Sequence, residues 1–198
     1  MKDIKSVRTV NFFLILTITL MLTGCGNTVE EQATNDLFEP FINGDAPAYY
    51  VDENREPFYI SDLPNDPNDF TYCSVGERVD LDNDGEEELI INGAYGGIFL
   101  DARNGKIYVL DEGNGTAWVL SYTEFDGKTW VVHSDVLHGG RELYHFTLYD
   151  EAGQTVDEIT LQKRWENAQE DGPGTIYMYC GEEITKKEYD EIKIKLLK

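Results

Sequence analysis

From residue 70 onward, short runs rich in Val, Ile, Tyr, Phe, Trp and Thr alternate with clusters of Gly, Asn and Asp. Runs of this length with β-branched and aromatic residues predict strands. They fall at residues 71–79, 88–92, 97–102, 106–112, 117–125, 128–134, 142–150, 155–165 and 175–180. The connectors Arg103 to Lys106, Asp126 to Lys128 and Glu151 to Gln154 each place a Gly where a hairpin needs positive φ. Strands at hairpin spacing make an antiparallel β-meander or curled sheet, because parallel neighbours need longer crossovers. No repeat recurs at a blade-like period, so a full propeller is not supported.

Helical spacing is found only at the two ends of this β-rich region. At residues 28–44, Thr28 and Glu31 form a capping-box pattern, and Leu37, Phe38, Phe41 and Ile42 form an apolar stripe. Pro40 in that stretch predicts a break or kink near Glu39. Residues 45–70 hold four prolines and read as loop, with a short extended piece at 57–61. At the other end Thr185 and Glu188 repeat the capping box, flanked by Ile184 and Tyr189. Tyr189, Ile192, Leu196 and Leu197 then share one face of an amphipathic helix whose last turn is lysine-rich. The expected class is therefore mainly β (α+β), one antiparallel sheet with an N-terminal and a C-terminal helix.

The first residues are set aside from the fold. Lys2, Lys5 and Arg8 precede an apolar run at 12–22 that is too short to span a bilayer. Leu22-Thr23-Gly24-Cys25 follows at once, and here the chain resembles a bacterial lipoprotein, in which an aliphatic residue, a small residue, Gly or Ala, and Cys mark the cleavage site. That resemblance implies acylation of Cys25 (palmitate among the lipids), a signal peptide at 1–24, a lipidated tether at 25–29 and a single domain at 30–198. It also implies attachment to the cell membrane on its extracytoplasmic face. An ordinary secretory peptide that happens to carry a cysteine there is the alternative.

Charge narrows the partners. The chain carries −22, and cleavage before Cys25 leaves 13 basic and 37 acidic residues, a balance of −24. So acidic a surface repels nucleic acid and anionic headgroups. A monomer with an unknown protein or glycan ligand is expected. Two cysteines remain, Cys73 and Cys180, which either pair across a long loop or stand apart as separate thiols.

Between the first two predicted strands, Asp80, Asp82 and Asp84 occupy positions 1, 3 and 5 of an acidic loop, with Gly85 at 6, Glu86 at 7 and Glu88 at 9. Alternating carboxylates around a glycine turn supply the hard oxygens that Ca²⁺ takes. A helix-loop-helix calcium site also needs an acid at position 12 and a helix after it. Position 12 is Ile91, inside a predicted strand. The loop instead resembles the Asp-rich calcium loops of FG-GAP-type repeats, D-x-D-x-D-G-x-x-[DE] followed by a short strand. The resemblance implies Asp80, Asp82, Asp84 and Glu88 as side-chain ligands and Glu86 as a carbonyl ligand, holding a structural calcium ion. The order of segments is further similar to small lipoproteins of Gram-positive, Firmicutes-type bacteria, in an F-x-x-F-[IL]-N-G helix end (Phe38 to Gly44), the acidic loop, and G-E-x-I-T-x-x-E-Y (Gly181 to Tyr189). That group brings no known activity.

Catalytic candidates are few. His133, His138 and His145 cluster with Asp135, Arg141 and Glu142, and two of the histidines sharing a hairpin face could hold Zn²⁺ or act as acid and base. Ser121 and Ser134 lack a nucleophile-elbow context, and the glycines at 93–97 join strand to strand and cradle no phosphate. Tyr95, Trp118, Tyr122, Trp130, Tyr144 and Trp165 form either a ligand platform or core. The expected function is a lipid-anchored extracytoplasmic binding or interaction module braced by calcium. The alternative is a cell-surface hydrolase using the His133/His138/His145 region.

Overall fold

The computed structural model describes residues 36–165 and 171–197. The expected signal peptide, Cys25, the expected tether and the Thr28/Glu31 capping-box pattern lie outside the described residues. Helix α1 (Phe38–Ile42) opens the described chain. The strands are β1 (Ala48–Tyr49), β2 (Ser74–Val79), β3 (Glu88–Asn92), β4 (Ile98–Arg103), β5 (Lys106–Glu112), β6 (Val119–Phe125), β7 (Lys128–Asp135), β8 (Arg141–Tyr149), β9 (Thr155–Arg164), β10 (Ile176–Tyr179) and β11 (Glu182–Ile184). Helix α2 (Lys186–Leu196) follows. The fold is mainly β, as the periodicity predicts, but it has two sheets where one curled sheet is expected. The first runs β1-β5-β4-β3-β2 and the second β11-β10-β9-β8-β7-β6.

The apolar pattern explains the layering. In β3, Glu88 to Ile91 are all buried, with no alternation. Leu89 and Ile91 face a cluster with Phe38, Phe41, Phe58, Leu100 and Ile107, whereas Ile90 faces Leu81, Phe99, Leu120 and Val131 between the sheets. A strand covered on both faces reads as a continuous apolar run. In β7, Trp130 and Val132 pack with Phe146, Leu161, Tyr189 and Leu196 under α2, while Val131 points to the inter-sheet layer. The order of layers is thus α1 with its adjoining loops, the first sheet, the second sheet, and α2.

Local chemistry fixes several boundaries. Asn104-Gly105 and Asp126-Gly127 have positive φ at both residues, the signature of the two-residue I′ turn that the sequence predicts there. Cys180-Gly181 adopts the same turn at φ 47° and 83°, and it generates β11, a strand the sequence reading omits. Pro40 does not break its helix. The helix begins only at Phe38, so Pro40 sits in the first turn, where its missing N–H costs no intrahelical bond. The expected extended piece at 57–61 reduces to a single bridge between Phe58 and Ala48, followed by a 3₁₀ turn at Ile60–Asp62. β1 pairs with β5 in parallel, the one departure from antiparallel order among the described strands. The two cysteines are free thiols: Cys73 is half-buried just before β2, and Cys180 is exposed in the β10–β11 turn.

At α2 the capping box is complete: the Glu188 N–H donates to Thr185 Oγ1 at 3.2 Å, and the Thr185 N–H donates to Glu188 Oε2 at 2.8 Å. Replacing Thr185 by Ala should cost about 1 kcal/mol in chemical denaturation. An unchanged midpoint would show that packing of Tyr189 and Leu196 holds the helix without its cap. Among the described residues no helix is long and apolar enough to cross a membrane.

Candidate metal centre

The pairing of Val79 with Glu88 closes the neck of the acidic loop and brings position 9 beside position 1. Inside it, each aspartate spends one oxygen on the loop's own backbone. Asp80 Oδ2 accepts from the Gly85 N–H at 3.2 Å, Asp82 Oδ1 from the Asp84 N–H at 3.2 Å, and Asp84 Oδ1 from the Glu86 N–H at 2.7 Å. Glu88 Oε2 accepts from the N–H groups of Leu81 and Asp82, at 2.6 and 3.3 Å. The other oxygens of two aspartates, Asp80 Oδ1 and Asp82 Oδ2, are buried with no hydrogen-bond partner. One carboxylate oxygen from each of Asp80, Asp82 and Glu88 lies within 4.8 Å of the others. Buried polar atoms are nearly always partnered, so two aspartates with an orphaned oxygen each, grouped with a third carboxylate, make a set that could hold a cation.

The electrostatics agree. Asp82 is 2% exposed and Glu88 3%. Burial, added to the nearby charges of Asp84, Asp101 and Asp80, pushes Asp82 up to about 6. Burial beside Asp82 and Asp101 pushes Glu88 up to about 8. Each carboxylate is thus costly to ionise at neutral pH, and a bound cation removes that cost.

Of the five predicted ligands, the structure gathers Asp80, Asp82 and Glu88. Asp84 is exposed and stands outside the cluster, one of its oxygens engaged by the Glu86 N–H. The Glu86 side chain is also exposed, and the resemblance implies a role for it only through its carbonyl. Two residues of the site are absent from the sequence reading. Asp101 in β4 is 3% exposed and adds to the negative field on both Asp82 and Glu88. Its signal is a single acid in the otherwise apolar run from Ile98 to Ala102. The other is Asn83, at φ 67°, whose side chain donates to Thr129 O at 3.0 Å and accepts from the Thr129 N–H at 2.8 Å. That pair of bonds ties the acidic loop of the first sheet to β7 of the second.

The histidines divide differently from the expectation. His133 and His145 are cross-strand partners, and Trp118 stacks on His133 with centroids 4.4 Å apart. Their nitrogens diverge: His133 Nε2 lies 3.3 Å from Asp111 Oδ1, and His145 Nε2 lies 3.1 Å from Glu158 Oε1. His138 instead bonds the buried Asp135 through Nδ1 at 2.6 Å, and its Nε2 is 3.4 Å from Thr116 Oγ1. The Asp135 contact orients the His138 ring toward Thr116. Yet the cleft of about 420 Å³ beside His138 is lined by Val136, Leu137, Arg141, Glu142 and others, without Thr116.

The aromatic residues do not share one face. Trp130 and Tyr144 pack under α2, while Tyr122 meets Phe99 between the sheets and donates to Glu77 Oε1 at 2.9 Å. Tyr95 meets Phe70, Trp165 lines the cleft beside His138, and Trp118 covers the two paired histidines. No family model matches the chain, and no curated protein or solved structure is similar enough to match it.

Proposed function

We propose that the chain is a lipid-anchored, extracytoplasmic interaction module whose fold is braced by one calcium ion at Asp80, Asp82 and Glu88. The observation that carries the ion is the buried, unpartnered oxygen on each of Asp80 and Asp82, two residues grouped with Glu88. Calcium is favoured over Mg²⁺ because an irregular set of carboxylates with further positions left for carbonyls or water suits its loose coordination, whereas Mg²⁺ demands a near-ideal octahedron. Outside a cell calcium is abundant, so a site of about 10⁻⁴ to 10⁻³ M affinity would be filled. The ion's role is structural: it neutralises the loop at the junction of the two sheets.

The anchor rests on Leu22 to Cys25 and on the positive and apolar segments before them. A partner is unassigned, and the acidic surface makes a neutral or basic protein or glycan the class that fits. The divergent histidines and scattered aromatics give the hydrolase alternative less support. The test expresses the full chain in a Gram-positive host fed labelled palmitate. Wild type should fractionate with membranes and carry the label, and Cys25→Ala should do neither. Label and membrane association that survive in Cys25→Ala would remove the anchor from the proposal.

A further inference from the structure

We infer that Asp101 and Arg103 of β4 set the affinity and charge preference of the cation site, with Arg103 acting as a built-in competitor for the ion. The inference rests on the reading that Asp80, Asp82 and Glu88 hold a divalent cation, which itself stands on the orphaned oxygen of Asp82, a side chain 2% exposed.

The geometry comes from strand register. Leu89 pairs with Leu100 at the end of the β3–β4 ladder, and Glu88 and Asp101 are the next residue of each strand beyond that pair. Both of these are 3% exposed, and like charges at such a position oppose folding unless a cation serves them. Asp101 has such a cation in the protein itself, through a close ion pair with Arg103. The guanidinium is confined: its side chain is 14% exposed, it lies 4.9 Å from the Tyr108 ring, and it passes so near Gly153 that an added Cβ there would sit 2.0 Å from Nη1. It therefore stays beside the acidic cluster and does not swing out to water.

Counting charges then gives the consequence. Asp80, Asp82, Glu88 and Asp101 bring four negative charges and Arg103 one positive. A divalent ion leaves the group at −1, a trivalent ion brings it to neutrality, and a monovalent ion leaves −2. The site should rank Tb³⁺ above Ca²⁺ and Ca²⁺ far above Na⁺. Arg103 holds calcium affinity down, because the ion and the guanidinium repel each other across Asp101.

The test titrates the full chain in detergent micelles with Ca²⁺ and Tb³⁺ at pH 8.5, by calorimetry. Relative to wild type, Arg103→Met should bind Ca²⁺ about tenfold more tightly, which is about 1.4 kcal/mol, and Asp101→Asn about tenfold more weakly. Arg103→Lys, which keeps the charge, should stay within about threefold of wild type. The double variant Asp101→Asn with Arg103→Met should also return near wild type, since the two changes cancel in charge. If wild type binds Ca²⁺ and neither Arg103→Met nor Asp101→Asn alters its affinity, the inference is overturned while the site stands. If Arg103→Met misfolds, Arg103→Lys together with the Tb³⁺ to Ca²⁺ ratio of wild type decides: equal affinities for the two ions overturn it. Absence of binding in wild type and in every variant overturns the cation site itself.

Discussion

Millimolar calcium will raise the melting temperature of the full chain by about 3–6 °C at neutral pH, and Asp82→Asn will abolish that response. Ion at ten times its Kd adds about 1.4 kcal/mol by mass action. In a folded region of about 160 residues each kcal/mol moves the midpoint by about 2–4 °C. The chelated protein shows the other half of the linkage. Asp82 is pushed up to about 6 and Glu88 to about 8, both above the ordinary carboxylate range that the unfolded chain keeps. The folded state therefore binds more protons than the unfolded state between about pH 4 and 8. Stability from these two groups is fully present below pH 4 and is lost as pH rises through 6 and then 8. For Asp82 alone the loss is on the order of 3 kcal/mol. Hence Asp82→Asn in chelator at pH 8 should melt higher than wild type, because a neutral amide takes the place of a buried charge. Calcium narrows the gap, since only wild type gains from it. A chelated wild type whose midpoint climbs from pH 5 to 8, or one indifferent to calcium, would contradict the burial of these carboxylates as a cation site.

The parts of this site that sequence reveals are the parts fixed by neighbours in the chain. Alternating Asp80 and Asp82 before a glycine, and Glu88 at the mouth of the next strand, follow from spacing alone. Asp84 shares that spacing but differs in outcome, because it points outward and accepts the Glu86 N–H. Asp101 is invisible to loop patterns, since it reaches the cluster through the β3–β4 register, which only the folded ladder defines. The same division holds for the fold. The apolar runs at 88–92 and 128–134 mark β3 and β7 with little error, and the Thr185/Glu188 box marks the start of α2. The two residues of β1 carry no periodicity and become a strand only by pairing with β5, while β11 is three residues long and depends on the Cys180-Gly181 turn. Continuous burial along β3 is written in its composition, but the identity of the layer on each side is a tertiary fact.

Asn83 is where the loop and the second sheet meet, and Asn83→Ala should cost about 2–5 kcal/mol in urea denaturation with an unchanged slope. The β7–β8 ladder begins at Val131, paired with Thr147, so Thr129 lies beyond its end. There the Asn83 amide donates to the Thr129 carbonyl and accepts from its N–H, as a neighbouring strand would. Thr129 is 9% exposed, so removing the amide leaves backbone groups short of partners at about 1–3 kcal/mol. Alanine must also hold φ 67°, a left-handed conformation that costs about 1–2 kcal/mol without the local bonding of an asparagine. Asn83→Gly separates the two contributions, because glycine accepts the backbone and loses only the hydrogen bonds; it should fall about midway between wild type and Asn83→Ala. If Asn83→Gly matches wild type, the Thr129 contact contributes nothing and the sheets are held by Leu81, Ile90, Phe99, Leu120 and Val131 alone. Calcium should still stabilise Asn83→Gly by the wild-type amount, since position 4 supplies no ligand. A lost calcium response in that variant would mean that the second sheet, through Thr129, helps to shape the ion's loop, and that the ion and the inter-sheet contact act as one unit.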